Sequence, residues 1–555
     1  LSACCLVALP QAVCLHERLA ILLPNDPQAV VWMEAAKRMG SVYLAIAAGT
    51  ASPAIAQRLA DLGAAVLITG HTLRAAAEEA TARLDNAPTV IYEPDALRSE
   101  DEQLPAGWLL APELRASALL SVGAYEPPPA LGAGQSWAGG GEAATARWVS
   151  GLWAASAPVA VEASTPLLVL YTSGSTGKPK GIVHTHGGYQ VGLCATARAV
   201  FAPRPESDVL FVIATPGWIT GQSYMIAAAL LCRVPSLLMQ GSPVSPPSRF
   251  AELIQRHRVT ILKAGSTFLR MLMATQGAAS LLDSHDLSAL RLGTFCAEPV
   301  TSSVHAFAAR HLTRHYINSY WATEHGGMVW SRTFASCERE PPLPDTRSWP
   351  LPWVEGEVMV RLEDGLGGWR RAQDREQGEV VIRAQYPYMA LTVWSAEGFG
   401  SPDWRGDRSR WEGYFSAGAG YVQGDSAIRD ADGGFTFHGR SDEVINVGGN
   451  RVGTAEVEGA ILLDCAREGS PVRNCVVVGM PDPTLGMVPC AFIVCDTRSE
   501  GPAGPLSTSD EGTLRARVLA ELGSAAVPAK FVVTAVLPET YSGKYMRSLL
   551  RWMLA

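Results

Sequence analysis

Tyr171-Thr-Ser-Gly-Ser-Thr-Gly-Lys-Pro-Lys-Gly181 holds four Ser/Thr hydroxyls (Thr172, Ser173, Ser175, Thr176), three glycines (Gly174, Gly177, Gly181) and two lysines, Lys178 and Lys180. Glycine lets backbone N–H groups approach a ligand, hydroxyls add donors and lysine adds positive charge. That is the chemistry of a polyphosphate cradle, set between the apolar run Leu167–Leu170 and an expected apolar turn at Ile182-Val183. It is not the common P-loop, because Thr172 stands where that motif needs Gly and Pro179 where it needs a hydroxyl. The same composition also suits a plain surface loop.

Other segments could do complementary chemistry. In Asn318-Ser-Tyr-Trp-Ala-Thr-Glu-His-Gly-Gly327, Thr323 and Glu324 are oxygen ligands of the kind a magnesium–phosphate complex takes, and Trp321 is a rigid wall. A helix cap beside a core tryptophan is the competing reading. Gly424-Asp425 is expected to end a β-type segment, with a carboxylate able to accept both hydroxyls of a ribose, or to be a simple turn. Arg440 and Arg451 flank an amphipathic strand and the diglycine Gly448-Gly449, and arginine suits bidentate contact with phosphate or ribose oxygens. Lys544 follows a Ser-Gly turn near the C-terminus and matters only if another domain meets it.

The elements that must position these residues alternate. Strand patterns at Leu19–Leu23, Ser41–Ile46 and Ala64–Thr69 are separated by helical patterns at Ala29–Met39 and Pro53–Leu62. This spacing predicts βαβ units and a parallel sheet. The alternation resumes after the cradle, with strands at Val209–Ala214, Ser236–Met239, Thr260–Leu262, Leu290–Phe295 and His315–Ile317. From Gly378 short β-type runs take over, and from about Ser441-Asp442 a compact α+β tail follows. The expected fold class is α/β: a large N-terminal domain of βαβ-built sheets plus a β-rich subdomain, residues 1–441, and a small α+β C-terminal domain, residues 442–555.

Bulk properties narrow the function. The chain has 555 residues, more than one core usually supports. Hydrophobic content of 48% with 18% charged residues describes a well-buried enzyme. A net charge of −8 argues against a general nucleic-acid binder, so any anion site is local. Eleven cysteines without CxxC pairs fit reduced thiols in a cytoplasmic or organelle-matrix setting. No run of 18 apolar residues suggests a membrane span, and residues 1–13 lack the basic leader of a signal peptide. A start at Leu rather than Met is consistent with a module of something longer.

Taken in order, these segments resemble the AMP-forming acyl-CoA synthetases of the adenylate-forming superfamily, in the short-chain acetyl- and propionyl-CoA synthetase branch. Lys263-Ala-Gly-Ser-Thr-Phe-Leu-Arg270, Thr294-Phe-Cys-Ala-Glu-Pro-Val300 and the segment Tyr316–Gly327 look like the ligase module of propionyl-CoA synthase, which activates 3-hydroxypropionate. The resemblance implies ATP, CoA and Mg2+ as cofactors, a small carboxylate as partner, and a monomer or homo-oligomer. It implies a β,γ-phosphate cradle from Thr172 to Lys180, with adenine lined by Ala297, Glu298 and Pro299. Asn318, Ser319, Tyr320, Trp321, Ala322 and Thr323 would reach the base and α-phosphate, and Glu324 would hold magnesium. Asp425 and Arg440 would take the ribose and Arg451 the phosphates.

The acyl pocket is implied at Ile219, Thr220, Cys296 and Trp321, and the CoA tunnel at Thr220, Gly265, Gly448 and Gly449. Lys544, Glu324 and Thr172 would be catalytic and Asp442 the hinge of a mobile C-terminal domain. Two like unit charges 4 Å apart repel by about 4 kcal/mol at an effective dielectric near 20. A lysine between the carboxylate and the α-phosphate reverses that repulsion, and rotation about Asp442 would then withdraw it for the thiol. The indole of Trp321 leaves room for two or three carbons. Two departures stand out: Gly448-Gly449-Asn450 replaces the usual Ser-Gly-His, and Val244 replaces an asparagine that serves the CoA nucleotide. A carrier-protein-loading module and a non-catalytic nucleotide-binding homologue are the alternatives.

Overall fold

A computed structural model describes residues 16–94, 104–114, 157–172, 179–275, 277–296, 300, 302–339, 346–362, 368–441, 443–447, 450–466, 470–483, 485–495, 506–539 and 545–554. The first helix shows how the sequence builds the frame. Pro27–Arg38 opens with Asp26 accepting the Gln28 N–H at 2.7 Å and Pro27 in its first turn, and closes on Lys37 and Arg38. Its spacing buries Ala29, Trp32, Met33 and Ala36 on one face, and Trp32 Nε1 donates to Glu93 at 2.8 Å. Burying a side chain of this size contributes about 1.5–3 kcal/mol. The next helix, Ser52–Leu62, stops at Gly63, whose φ of 64° is left-handed.

These helices cover an eight-stranded sheet. Its spatial order is Thr392–Val393, Lys180–Thr185, Pro166–Thr172, Val42–Ala45, Arg18–Leu22, Val66–Gly70, Thr89–Glu93 and Leu109–Leu110. The pairings from Pro166–Thr172 to Leu109–Leu110 are parallel, and the two at the Thr392–Val393 edge are antiparallel. The βαβ expectation therefore holds through Gly70. Ile182-Val183 is not a turn: it lies in a strand paired with Leu170 and Val169. Both residues are fully buried, so an apolar pair that looks like a bend is part of the core.

A second sheet, all parallel, orders Tyr316–Ile317, Leu292–Cys296, Ile261–Gly265, Leu210–Val212 and Ser236–Leu237. The β-rich part is an antiparallel six-stranded sheet centred on Gln377–Ile382 and Gly420–Arg429, with Phe435–Arg440 paired to the latter. One continuous core, including Trp32, Tyr224, Trp330, Val380 and Phe435, joins these sheets. The last sheet, Asn450–Val452, Ile445–Val447, Gly486–Cys495, Val472–Asp482 and Lys530–Thr534, has its own core on Val457, Val477, Ile493 and Leu514.

Candidate active site

Strand pairing sets three pairs of the predicted residues opposite each other: Thr172 and Lys180, Gly265 and Cys296, and Asp425 and Arg440. Thr172 pairs with Lys180, so the ends of the cradle segment meet at one edge of the first sheet. Ser173 to Lys178 lie outside the described residues, as do Ala297 to Pro299, Asp442, Gly448, Gly449 and Lys544. Cys296 and Arg451 are described in their backbones only.

The segment after Ile317 leaves the second sheet at its carboxyl edge, where ligands collect in open α/β folds. Ser319–Tyr320 pairs with Trp330–Ser331, and Thr323–His325 forms a 3-10 turn. Gly326 ends that turn with φ of 75°, and an added Cβ would lie 2.3 Å from the Tyr388 carbonyl oxygen. Only glycine passes there. The side chains of Asn318 and Ser319 serve the backbone: Asn318 Nδ2 donates to Thr346 O at 2.7 Å and Ser319 Oγ to Phe295 O at 2.5 Å.

Glu324 is buried, and both its oxygens are held. Tyr414 donates to Oε1 at 2.9 Å and Gln423 Nε2 to Oε2 at 3.4 Å. Burial and the Glu324 charge push the Tyr414 hydroxyl well above the ordinary phenol range, so it remains a donor. Lys180 reaches the same tyrosine, with Nζ 3.5 Å from its oxygen and 4.8 Å from its ring centre. The cradle strand and the glutamate are thus linked through one side chain. Magnesium on a nucleotide keeps several waters and takes one or two protein carboxylates. A buried carboxylate with one donor on each oxygen still has lone pairs to offer, so Glu324 fits that ion.

Asp425 does not end its strand. It lies inside Gly420–Arg429, directly opposite Arg440. Gly424 takes φ of 82°, and an added Cβ would sit 2.9 Å from Arg440 Nη2. The guanidinium donates to Gln423 O at 2.7 Å and lies 3.8 Å from Asp425 Oδ1. Tyr320 donates to Asp425 Oδ2 at 2.5 Å while Phe437 stacks on its ring, 4.0 Å between centres at 6°. Sequence reasoning missed Tyr414, Gln423 and Phe437. The alternation of a strand puts Tyr421, Gln423 and Asp425 on one side, a signal that could have found Gln423.

Ile219 and Thr220, expected to line an acyl pocket, are buried at the entry to a π-helical stretch, Gly221–Ala227, a geometry common at functional sites. Ser223 Oγ donates to Gly326 O at 2.8 Å, and Met328 N donates to Tyr224 OH at 2.7 Å. Trp321 stands edge-on to Tyr224, centres 5.1 Å apart. Gly265 closes its strand opposite Cys296. In the C-terminal part, Glu539 bridges to Tyr545, the residue after Lys544. Tyr545 and Asn474 line a cavity of about 340 Å3 with Thr267, Arg270 and Ser303 of the large lobe.

Comparison with known proteins gives this arrangement its class, the AMP-binding enzymes. Residues 13–392 match the family AMP-binding enzyme, and residues 466–544 match its C-terminal domain. The chain belongs to the AMP-binding enzyme family, on its acyl-CoA synthetase branch, the AMP-forming CoA ligases that use ATP, CoA and Mg2+. It is similar to an acetyl-coenzyme A synthetase of Mycolicibacterium smegmatis, 31% identical over 96% of this chain, and spans 52% of that relative's length. An acetyl-coenzyme A synthetase of Cupriavidus metallidurans is 30% identical, with 96% of this chain and 75% of that relative covered.

Among solved structures, the anthranilate CoA ligase AuaEII in complex with anthranoyl-AMP matches with a TM-score of 0.73 at 20% identity, over 100% of this chain and 91% of that one. The Brucella canis acyl-CoA synthetase matches with a TM-score of 0.62 at 24% identity, over 100% and 87%. These two bear on the fold alone. Among the described residues no helix is long and apolar enough to cross a membrane.

Proposed function

We propose that this chain activates a short-chain carboxylate with ATP to an acyl-adenylate and transfers the acyl group to CoA, releasing AMP and pyrophosphate. The observation that carries the reading is the pair of contacts made by Tyr414, to Lys180 of the cradle strand and to Glu324. Beside it, Gln423, Arg440, Asp425 and Tyr320 form the nucleoside end. Bound magnesium supplies charge neutralisation for the departing pyrophosphate. The cradle residues Thr172 to Lys180 grip that leaving group, and Asp425 with Arg440 fixes the ribose, so catalysis rests on positioning and electrostatics.

The division into residues 1–441 and 442–555, with Asp442 as hinge, belongs to the same proposal. Lys544 would bridge the carboxylate and the α-phosphate, then withdraw as Gly448-Gly449 closes over the pantetheine, a domain-closure step. Trp321 supports a two- or three-carbon acid: acetate, propionate or 3-hydroxypropionate. The likeness of three segments to the propionyl-CoA synthase ligase module favours the last. Carboxylate-dependent exchange of pyrophosphate into ATP tests the reading with these three acids. Exchange with none of them would end it, and product analysis with CoA separates thioester formation from carrier loading.

A further inference from the structure

Lys263 is fully buried, a rare fate for lysine, and the reaction described above gives it no task. Its strand, Ile261–Gly265, runs parallel to Leu292–Cys296, with Lys263 opposite Thr294 and Gly265 opposite Cys296. Alternate residues of a strand share a face. Lys263 therefore lies one step below Gly265, on the side that holds Tyr224 and Trp321.

Its Nζ is 3.1 Å from Ser319 Oγ, 3.3 Å from Thr294 Oγ1 and 3.4 Å from Phe295 O. The ring centres of Tyr224, Trp321 and Phe201 are 5.0, 5.8 and 5.9 Å away. Enclosing an ammonium is unfavourable unless hydrogen bonds and aromatic faces offset the loss of water. A methionine would fill the same space without that cost. What lysine adds is direction: its donors tie Ser319, two residues before Trp321, to Phe295, one residue before Cys296. Ser319 closes the triangle by donating to the same Phe295 carbonyl.

We propose that Lys263 is a positioning residue that sets the depth of the acyl pocket. It holds the indole of Trp321 forward and keeps the strand end at Cys296 in register, so acids longer than about three carbons find no room. The proposal rests on the acyl-pocket reading under Proposed function. A residue that only stabilised the fold would change all acids alike, whereas a depth-setting residue changes their ranking.

The test is ATP–pyrophosphate exchange by the full chain, Lys263→Met and Lys263→Ala, with straight-chain acids of two to six carbons. MgATP affinity is measured calorimetrically without acid. One methylene in an apolar pocket is worth roughly 10–200-fold in discrimination. The parent should fall steeply beyond three carbons. Lys263→Ala should lose about ten-fold in kcat/KM for acetate and gain about ten-fold for the five-carbon acid, chiefly through KM. Lys263→Met, which keeps the volume and loses the donors, should flatten the profile, with MgATP affinity within about two-fold of the parent in both variants. Folded variants that keep the parent ranking, or lose all acids by one factor, overturn the role of Lys263 alone. A parent that exchanges with no acid overturns the functional reading and this role with it.

Discussion

The hydroxyl of Tyr320 donates to Oδ2 of Asp425 at 2.5 Å, joining residues 105 apart in sequence. Tyr320 ends the strand that leads into the Glu324 turn, and Asp425 lies in the middle of the antiparallel sheet. The bond therefore ties the β-rich sheet to the two-stranded ribbon of Ser319–Tyr320 and Trp330–Ser331 that follows the second parallel sheet. Phe437 covers one face of the Tyr320 ring and Arg440 stands 3.8 Å from the other Asp425 oxygen, so the carboxylate is held from two directions. Hydrogen bonds to a charged group contribute about 1.5–3 kcal/mol. Tyr320→Phe should therefore weaken ATP and AMP binding by roughly 10-fold or more, about 1.4 kcal/mol per decade. Titration calorimetry with both nucleotides checks this, and parental affinities would contradict the ribose role of Asp425.

Tyr414 governs a different term. Groups that orient a metal-binding carboxylate typically contribute 10–100-fold in metal affinity or activity. Tyr414→Phe keeps the ring, including its stacking on Tyr421 at 5.6 Å, and removes the donor to Glu324. The expected outcome is a 10–100-fold weaker magnesium dependence of nucleotide binding, with metal-free nucleotide binding unchanged. Measuring ATP affinity across a magnesium series decides it. Equal losses with and without magnesium would assign Tyr414 to the nucleotide and not to the ion.

The glutamate turn also predicts acid sensitivity. Burial pulls His325 down to about 3 and His184 down to about 4, the latter only partly opposed by a backbone contact from Thr323. Both rings lie at the turn: Ala322 N donates to His325 Nδ1 at 3.0 Å, and His184 lies 3.2 Å from where a Cβ on Gly326 would be. Unfolded histidine protonates near 6.5, so below that pH the unfolded chain takes up protons that the folded chain refuses. Stability is complete above 6.5 and is lost as pH falls toward 4 and then 3. At pH 5 each ring should cost about 2 kcal/mol. Urea unfolding at pH 7 and pH 5 measures the difference. A flat profile would mean that the rings are not enclosed as described.

The alternation of strands and helices up to Gly70 was legible because apolar runs of strand length are separated by segments with the helical period of 3.6. Strands buried on both faces, such as Val66–Gly70, read as short apolar runs. Glu324 and Asp425 could be singled out only in the company of the other segments, since Gly-Asp alone is a common turn pair and Thr-Glu-His-Gly also suits a helix cap. The strand Gly420–Arg429 was not: Gly420 and Gly424 look like turn residues, yet their φ angles of 113° and 82° are taken within a paired strand. Ile182-Val183 failed for the opposite reason, because two apolar residues are too few to show a period. Tyr414 carries no signature, since a tyrosine in a turn-rich stretch acquires its role only when folding sets it between Lys180 and Glu324. Lys263 could be quoted as part of a motif, but its burial comes from three strands meeting, which no local pattern encodes.

The last prediction concerns Lys544. Its neighbour Tyr545 donates to Asn474 Oδ1 at 3.0 Å, and Asn474 Nδ2 donates back to the tyrosine oxygen at 2.8 Å. Tyr545 also shares a cavity with Arg270 and Ser303 of the large lobe. Tyr545, the residue after Lys544, is therefore anchored to Asn474 and faces Arg270 and Ser303 across that cavity. In the proposed adenylation step the Lys544 cation is needed only while two anions, the carboxylate and the α-phosphate, approach each other. Once the acyl-adenylate exists, attack by a thiol no longer meets that repulsion. Lys544→Ala should abolish pyrophosphate exchange, a loss of at least about 10³-fold for a group worth about 4 kcal/mol or more. The same protein should still convert supplied acyl-adenylate and CoA to thioester at close to the parental rate. Tyr545→Phe should slow exchange far less while leaving ATP binding intact, because it loosens the anchor and keeps the charge. Equal loss of both half-reactions in Lys544→Ala would remove the lysine from the adenylation step and leave the charge problem to the cradle.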